Sequence, residues 1–252
     1  MNIKINFLTC SLFLISSYAN AQEHFFIYAK HSDNSDDKTT IVNYIGEETN
    51  VVIPKSVTTI EHGAFAGHHL ISVTIPESVK FIGEMAFSYN NLTDVTIPNS
   101  VTYIGQGAFG NNNLKNVVIP NSVTTIGNWA FSNNNLVSVT ISDSVTSIGQ
   151  WAFAYNNLTN VTIPHSVTFI GKWAFAYNNL TSITIPYSVA SISEMSFGHN
   201  NLASVVIPNS ITSIGRWAFR SNKLTSVTIP NSVTFIGERA FDENVKVKRP
   251  QQ

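Results

Sequence analysis

The sequence predicts a solenoid of about nine stacked coils of 22 residues, mostly β-structure with short 3₁₀ turns, a parallel sheet on one face and a β-hairpin capping its start. Three observations predict it. Leucine recurs every 22 residues, at Leu70, Leu92, Leu114, Leu136, Leu158, Leu180, Leu202 and Leu224. Ile-Pro recurs on the same step eight times, from Ile53-Pro54 to Ile229-Pro230, with Ser142 as the one departure. Ala-Phe also recurs eight times, from Ala64-Phe65 to Ala240-Phe241, with Ser196 as its departure. A fixed period in the twenties marks units that cannot bury their apolar face alone and must lean on their neighbours. The resulting surface is a set of columns of similar residues, whereas catalysis needs one dissimilar constellation.

The unit that starts at Leu92 justifies each piece of a coil. With Leu92 as position 1, Val95 and Ile97 at positions 4 and 6 alternate with polar residues, which is strand periodicity. Pro98 at position 7 ends the strand, because it has no N–H for the ladder. Ser100-Val101-Thr102 alternates again and predicts a second extended piece. Ile104 is assigned inward, Gly105 to a turn, and Ala108-Phe109 to a 3₁₀ turn that returns to the core. Position 21 is asparagine in eight units, from Asn90 to Asn244. Asparagine tolerates left-handed backbone and bonds nearby peptide groups, so the column is assigned to the last corner of each coil. A glycan- or ion-binding amide row is the functional alternative.

The ends do not follow the period. Residues 1–21 read as a signal peptide: Lys4 precedes the apolar run Phe7 to Ile15, and Ala19-Asn20-Ala21 is an A-x-A cleavage pattern. The run is too short for a membrane span. The only cysteine, Cys10, lies inside this segment, and Phe7-Leu8-Thr9 is a poor match to a lipidation site, so the mature chain is expected to lack thiols and disulfides. Residues 22–49 are assigned to the hairpin cap. Phe25-Phe26-Ile27-Tyr28 and Thr40-Ile41-Val42-Asn43-Tyr44 favour strands, and the polar cluster from His31 to Asp37 favours a turn between them. The solenoid is assigned to residues 50–241 and a C-terminal tail to 242–252, in which Val245 and Val247 suggest a shortened last strand and Pro250 discourages further pairing.

Charge excludes one class of partner. The formal net charge is −1, and losing Lys4 takes it to about −2. Residues 62–237 hold only eleven charged side chains, of both signs, whereas nucleic-acid binding depends on clustered Lys and Arg. Along position 15, Lys172, Glu194, Arg216 and Glu238 alternate in sign and predict pairing between coils.

The unit V-T-I-P-x-S-V-T-x-I-G-x-x-A-F, closed by a short polar corner and a leucine, resembles the BspA-type leucine-rich repeats over residues 50 to 241. The segment Thr40 to Gly46, leading to Val51-Val52-Ile53-Pro54, is similar to that family's degenerate first unit. The resemblance implies a leucine-rich-repeat solenoid, α/β-type by convention, in an exported bacterial protein that is secreted or held at the cell surface. It further implies adhesion or interaction rather than catalysis, and names no ligand. No second domain and no sorting or anchoring module is expected after Phe241.

No nucleophile–base pair, paired carboxylate, phosphate loop or zinc motif is found, so no catalytic, cofactor-binding or metal-binding residue is assigned. His62, His68 and His69 fall on one coil, but adjacent histidines at a corner point apart and no carboxylate spacing supports them. The outward columns offer more. Position 16 reads Met85, Gly107, Trp129, Trp151, Trp173, Met195, Trp217 and Arg239, with Tyr155 and Tyr177 four residues after two of the tryptophans. Trp129, Trp151, Trp173, Trp217, Tyr155 and Tyr177 are therefore the candidate ligand-binding residues, since exposed Trp and Tyr are frequent interface anchors. The competing assignment is an aromatic ladder that shields the core edge. A polar strand face at position 3 (Ser72, Asp94, Asn116, Ser138, Asn160, Ser182, Ser204, Ser226) is a second candidate surface.

The leading function is protein or glycan binding outside the cell. The alternatives are a glycan-handling accessory protein and an ice- or mineral-surface binder, the latter motivated by the regular Ser-Val-Thr column. The signal assignment predicts that mass spectrometry of the exported protein finds Gln22 as its first residue; a retained Met1 or a lipid on Cys10 would contradict it.

Overall fold

In the computed structural model, which describes residues 23–250, each coil is tied to its neighbours along three runs of backbone. The signal segment, Cys10 and the expected cleavage site lie outside the described residues. The stack comprises about ten coils of about 22 residues and has almost no helix.

The first run is the Ser-Val-Thr stretch at positions 3–5. It pairs in parallel between neighbouring coils, as in Asn116–Val118 with Ser138–Thr140 and Ser182–Thr184 with Ser204–Val206. The sequence places the main sheet here, but the structure holds only two-stranded pieces. Each strand is three residues long, including Ser138–Thr140, whose coil has Ser142 where the others have proline. The second run is Tyr103–Ile104 and its equivalents at positions 12–13. It supplies six strands of the larger, eight-stranded sheet, whose other two come from the N-terminal hairpin, and all of a three-stranded one that continues it. The expected second strand, Ser100 to Thr102, lies one step too early. Val101 N donates to Pro98 O at 3.1 Å and Ser100 Oγ to Val79 O at 2.6 Å, so those residues close a turn before the chain extends.

The third run replaces the expected 3₁₀ segment. Trp151 N, Phe153 N and Tyr155 N donate to Lys172 O, Ala174 O and Ala176 O of the next coil, at 2.9, 2.9 and 3.1 Å. Within the coil, Ala152 N donates to Gly149 O and Ala154 N to Trp151 O, which makes two overlapping β-turns. The third residue of the first turn has positive φ, 60° at Trp151, the signature of a type II turn. The glycine that opens this turn has no room for a side chain: a Cβ on Gly149 would lie 2.6 Å from Asn128 N of the preceding coil.

Side chains from all three runs meet in one core. Its axis is the phenylalanine column from Phe65 to Phe241. Neighbouring rings stack at 5.1–5.8 Å with interplanar angles of 1–12°. Tyr44 extends the column towards the N-terminus, 5.4 Å from Phe65.

The asparagine corners are built as the residue type suggests. Asn156 Oδ1 accepts from Leu136 N at 3.0 Å, and its Nδ2 donates to Phe131 O at 3.0 Å, Phe153 O at 3.1 Å and Ala154 O at 3.3 Å. One buried amide thus satisfies peptide groups of two successive coils. The same pattern runs from Asn90 to Asn222, and Asn244, beyond the last full corner, is exposed.

Both ends are closed. Strands β1 (Phe26–Lys30) and β2 (Asp36–Tyr44) form an antiparallel hairpin, and β2 pairs in parallel with Thr59–Ile60 of the first coil. Its turn is tied by Asp33, whose hydrogen bonds from Ser35 hold its carboxyl below the usual range, and by Asp36, held down by the Lys30 ammonium. These contacts are complete above the ordinary carboxylate pKa and are lost as pH falls through the lowered values. At the other end Ser221 N and Asn222 N lack a following coil and donate to the Asp242 carboxylate at 3.0 and 3.1 Å. The last strand, Lys246–Lys248, pairs with Ser226–Thr228, and the Arg249 guanidinium donates to Pro230 O and Val233 O.

The core and its corners can each be tested by one substitution. Phe153→Ala should cost about 3–5 kcal/mol in denaturant unfolding, the range for buried aromatics. Asn156→Asp should cost roughly 3–5 kcal/mol at neutral pH, since it turns a carboxylate towards three carbonyl oxygens. The new carboxyl's pKa would be raised on folding, so part of the loss should be regained as pH falls below that raised value; an Asn156→Asp protein insensitive to pH would contradict the bonding described.

Candidate binding face

The aromatic columns stand on the third run, at positions 16 and 20, and the backbone there is unusual. Every residue at position 16 has positive φ, from 51° at Arg239 to 63° at Gly107, and position 20 follows suit at Tyr89, Asn111, Asn133, Tyr155, Tyr177, His199 and Ser221. Bulky residues rarely adopt this conformation, and methionine or tryptophan in place of glycine carries a conformational cost. Coil-to-coil hydrogen bonds hold them in it, on both sides from Met85 to Trp217.

The sequence assigns position 16 to the outside, and the structure corrects this in part. Trp129 is exposed, at 37%, while Trp151, Trp173 and Trp217 are half-buried and Met195 is buried. The reason is the coil spacing. Trp151 and Trp173 stack at 4.4 Å with 9° between planes, and Tyr155 and Tyr177 at 4.4 Å with 8°. Each ring covers its neighbour's face, so the columns offer ring edges to solvent. Trp151 also lies 6.0 Å from Tyr155, and Trp173 6.3 Å from Tyr177. Four of the six candidates therefore form one platform. Trp217 stands apart beneath the Arg216 guanidinium, 3.6 Å from its ring, and its indole N–H is buried with no partner among the described residues.

The platform has a fifth member that the sequence pattern does not single out. His199 stacks on Tyr177 at 4.2 Å and 8°. Burial lowers its pKa first, then the Arg220 charge, against an opposing pull from Asp242, which favours the neutral imidazole. Burial also raises the Tyr155 phenol, with Tyr177 adding to it. Position 20, taken as a column in its own right, would have revealed the histidine. A second exposed aromatic column also escapes the sequence argument: Phe81 and Tyr103 at position 12 stack at 4.8 Å, and Phe169 and Phe235 are exposed further along the same run.

Trp129 borders a notch of about 300 Å³ in the same face, where Gly107, Gly110 and Asn111 interrupt the bulky columns between Met85 with Tyr89 and Trp129 with Asn133.

The other candidates are engaged internally in part. On the strand face Ser138 Oγ donates to Asn116 Oδ1 at 2.6 Å and Ser72 Oγ to Asn50 Oδ1 at 2.7 Å. The repeating hydroxyls likewise bond to the preceding coil, as Thr102 to Lys80 O and Thr146 to Thr124 O. At position 15 Lys172 pairs with Glu194 at 3.1 Å and Arg216 with Glu238 at 3.7 Å. Such exposed pairs are worth at most about 1 kcal/mol and act on register more than stability. His62 lies 3.8 Å from Glu84, His68 packs edge-on against Tyr44, and no group of three or more metal-ligating side chains occurs among the described residues. No helix among them is long and apolar enough to cross a membrane.

Stacked coils, an asparagine-bonded corner and residue columns on every face define a leucine-rich-repeat solenoid protein. Residues 43–159 and 130–248 match the family of BspA-type leucine-rich repeat regions, in six copies, and the chain belongs to that family. Among solved structures it is similar to a leucine-rich repeat protein from Bacteroides ovatus, at 26% identity over 87% of this chain and 71% of that one, with a TM-score of 0.65. It also shares its fold with a leucine-rich cell surface protein from Faecalibacterium prausnitzii (24% identity, 90% and 94% covered, TM-score 0.50). The pneumococcal vaccine antigen PcpA shares it too (18% identity, 90% and 73% covered, TM-score 0.52). No match was found among curated proteins.

Proposed function

We propose that this chain is an exported bacterial interaction protein, secreted or held at the cell surface, that binds an extracellular protein or glycan without chemical conversion. The observation that carries this reading is the platform of Trp151, Trp173, Tyr155, Tyr177 and His199. These rings are stacked at 4.2–4.4 Å along their columns and partly open to solvent. They are held on backbone of positive φ. Rigid aromatic side chains on a fixed scaffold lose little entropy on binding and supply most of an interface's energy. The family membership supports a repeat surface used for interaction. The signal-like start and the surface protein among the structural neighbours support export. The hydroxyl columns are less suited to ice or mineral, because many of their donors are spent between coils. A glycan-handling accessory role would use the same platform.

The double substitution Trp151→Ala with Trp173→Ala should abolish binding to partners found on glycan and secreted-protein arrays. Its unfolding midpoint should stay close to that of the parent, because the phenylalanine axis lies beneath the platform. A double variant that unfolds would make the rings core shielding. One that binds normally, while bulky changes at Asn116, Ser138 and Asn160 do not, would move the site to the strand face.

A further inference from the structure

The notch at Gly107 differs from the rest of the aromatic face in what it presents. Along the platform each ring covers the face of the next, and only edges remain. The residue one rung before Trp129 in its own column is Gly107, which has no side chain to cover it. On the far side stands Met85, and the neighbouring column is broken in the same coil by Asn111, between Tyr89 and Asn133. The opening bordered by Met85 and Trp129 holds about 300 Å³, which is room for one ring.

Its chemistry narrows the occupant. No charged side chain lines it. The side-chain amides of Gln106, Asn111 and Asn133 make no hydrogen bond within the protein among the described residues, and these three residues line the opening together with Trp129, Tyr89 and Met85. An aromatic side chain from a protein partner would cover those amides without pairing them, which is costly. A sugar ring offers an apolar C–H face to the indole and hydroxyls to the amides, each able to donate and accept. Small-ligand sites have this make-up: mostly apolar walls with a few placed polar groups.

We infer that the missing rung at Gly107 is a slot for one uncharged pyranose ring of a glycan. This rests on the reading of the chain as a binding protein and narrows its partner to neutral carbohydrate at this position. The backbone is already shaped for a side chain there. Gly107 has φ of 63°, which Met85 and Trp129 approach at 54°, and Asn111 has φ of 56°, against 55° at Tyr89. A rung could therefore be restored by substitution on the same backbone, with the Met85 side chain giving way where its Cγ lies 3.3 Å from the new Cβ.

The test uses the full chain, ¹⁵N-labelled at its four tryptophans, titrated with neutral hexose oligomers in one arm and N-acetylhexosamine oligomers in the other. The two arms separate a polysaccharide from a glycoprotein source. The Trp129 indole N–H signal should shift and saturate with at least one series, at a Kd on the order of 0.1–1 mM. Gly107→Trp and, independently, Asn111→Tyr should each weaken this at least about tenfold while thermal unfolding stays cooperative; Tyr187→Ala, on an exposed corner elsewhere, should not. No response at Trp129 to either series overturns the proposal, as does parental affinity in both filled variants. A tryptophan-containing peptide that shifts Trp129 where no oligosaccharide does overturns it as well. Should the slot fail while the Trp151/Trp173 double variant still loses its partner, the binding platform stands and only the slot falls. With a working slot and an unaffected double variant, the slot stands and the platform falls.

Discussion

The constraint on which the structure depends is the satisfaction of backbone groups at the last corner of every coil. A chain that turns three times in 22 residues buries peptide groups it cannot pair within one coil. The asparagine at position 21 supplies the partners. In Asn156 one oxygen and one amide nitrogen serve four peptide groups of two coils. Its carbonyl fixes the start of the first run through Leu136 N, and its amide fixes the phenylalanine backbone. Register between coils, and hence every column on the surface, follows from that bond set. Phenylalanine rings stack face to face because their backbones are pinned one above another. The hydrophobic core supplies the larger free energy, yet it would tolerate slippage that the amide does not.

The same pinning explains the left-handed residues. A type II turn asks for glycine or asparagine at its third residue, and the solenoid places methionine, tryptophan and arginine there instead. From Met85 to Trp217 the backbone that holds such residues is bonded to the coils on both sides. The result is a side chain with little freedom, projecting from a turn at constant height in every coil. Where the side chains are flat and aligned, as in Trp151 and Trp173, the coil spacing lets the rings stack. Rigidity at this face is thus a product of the core's register, transmitted through the main chain.

How much of this is legible in the sequence depends on whether a residue's role is periodic or local. The inward columns can be read directly, because Leu92, Val95, Ile104 and Phe109 recur on one fixed step and are buried. So can the asparagine corner and the hairpin between Phe26 and Tyr44. The turn after Gly105 cannot. Ala108 and Phe109 suggest a tight helical turn, and nothing in a tryptophan announces positive φ. The sheet is shifted for a similar reason: alternation at Ser100 to Thr102 looks like a strand, but the serine hydroxyl spends itself on Val79 O and turns the chain first. Of the six candidate site residues, four join one platform. The stacking that half-buries its tryptophans depends on a rung spacing that only three dimensions provide.

A repeat protein with uniform columns has affinity without address, since any segment of a ladder offers what the next one does. Recognition at a definite place needs a departure from the repeat. Most departures in this chain are absorbed structurally: Ser142 in place of proline donates to Pro120 O, and Ser196 in place of alanine donates to Ser193 O. The glycine at position 107 is absorbed only in part, with Met85 Cγ lying 3.3 Å from where its Cβ would stand. It leaves the turn geometry intact, removes one rung, and uncovers a side of Trp129 beside the amides of Gln106, Asn111 and Asn133. The uniform part of the face then sets height and rigidity, and the defect sets position. In such a scaffold the least repetitive coil is the one with the most to say about a ligand.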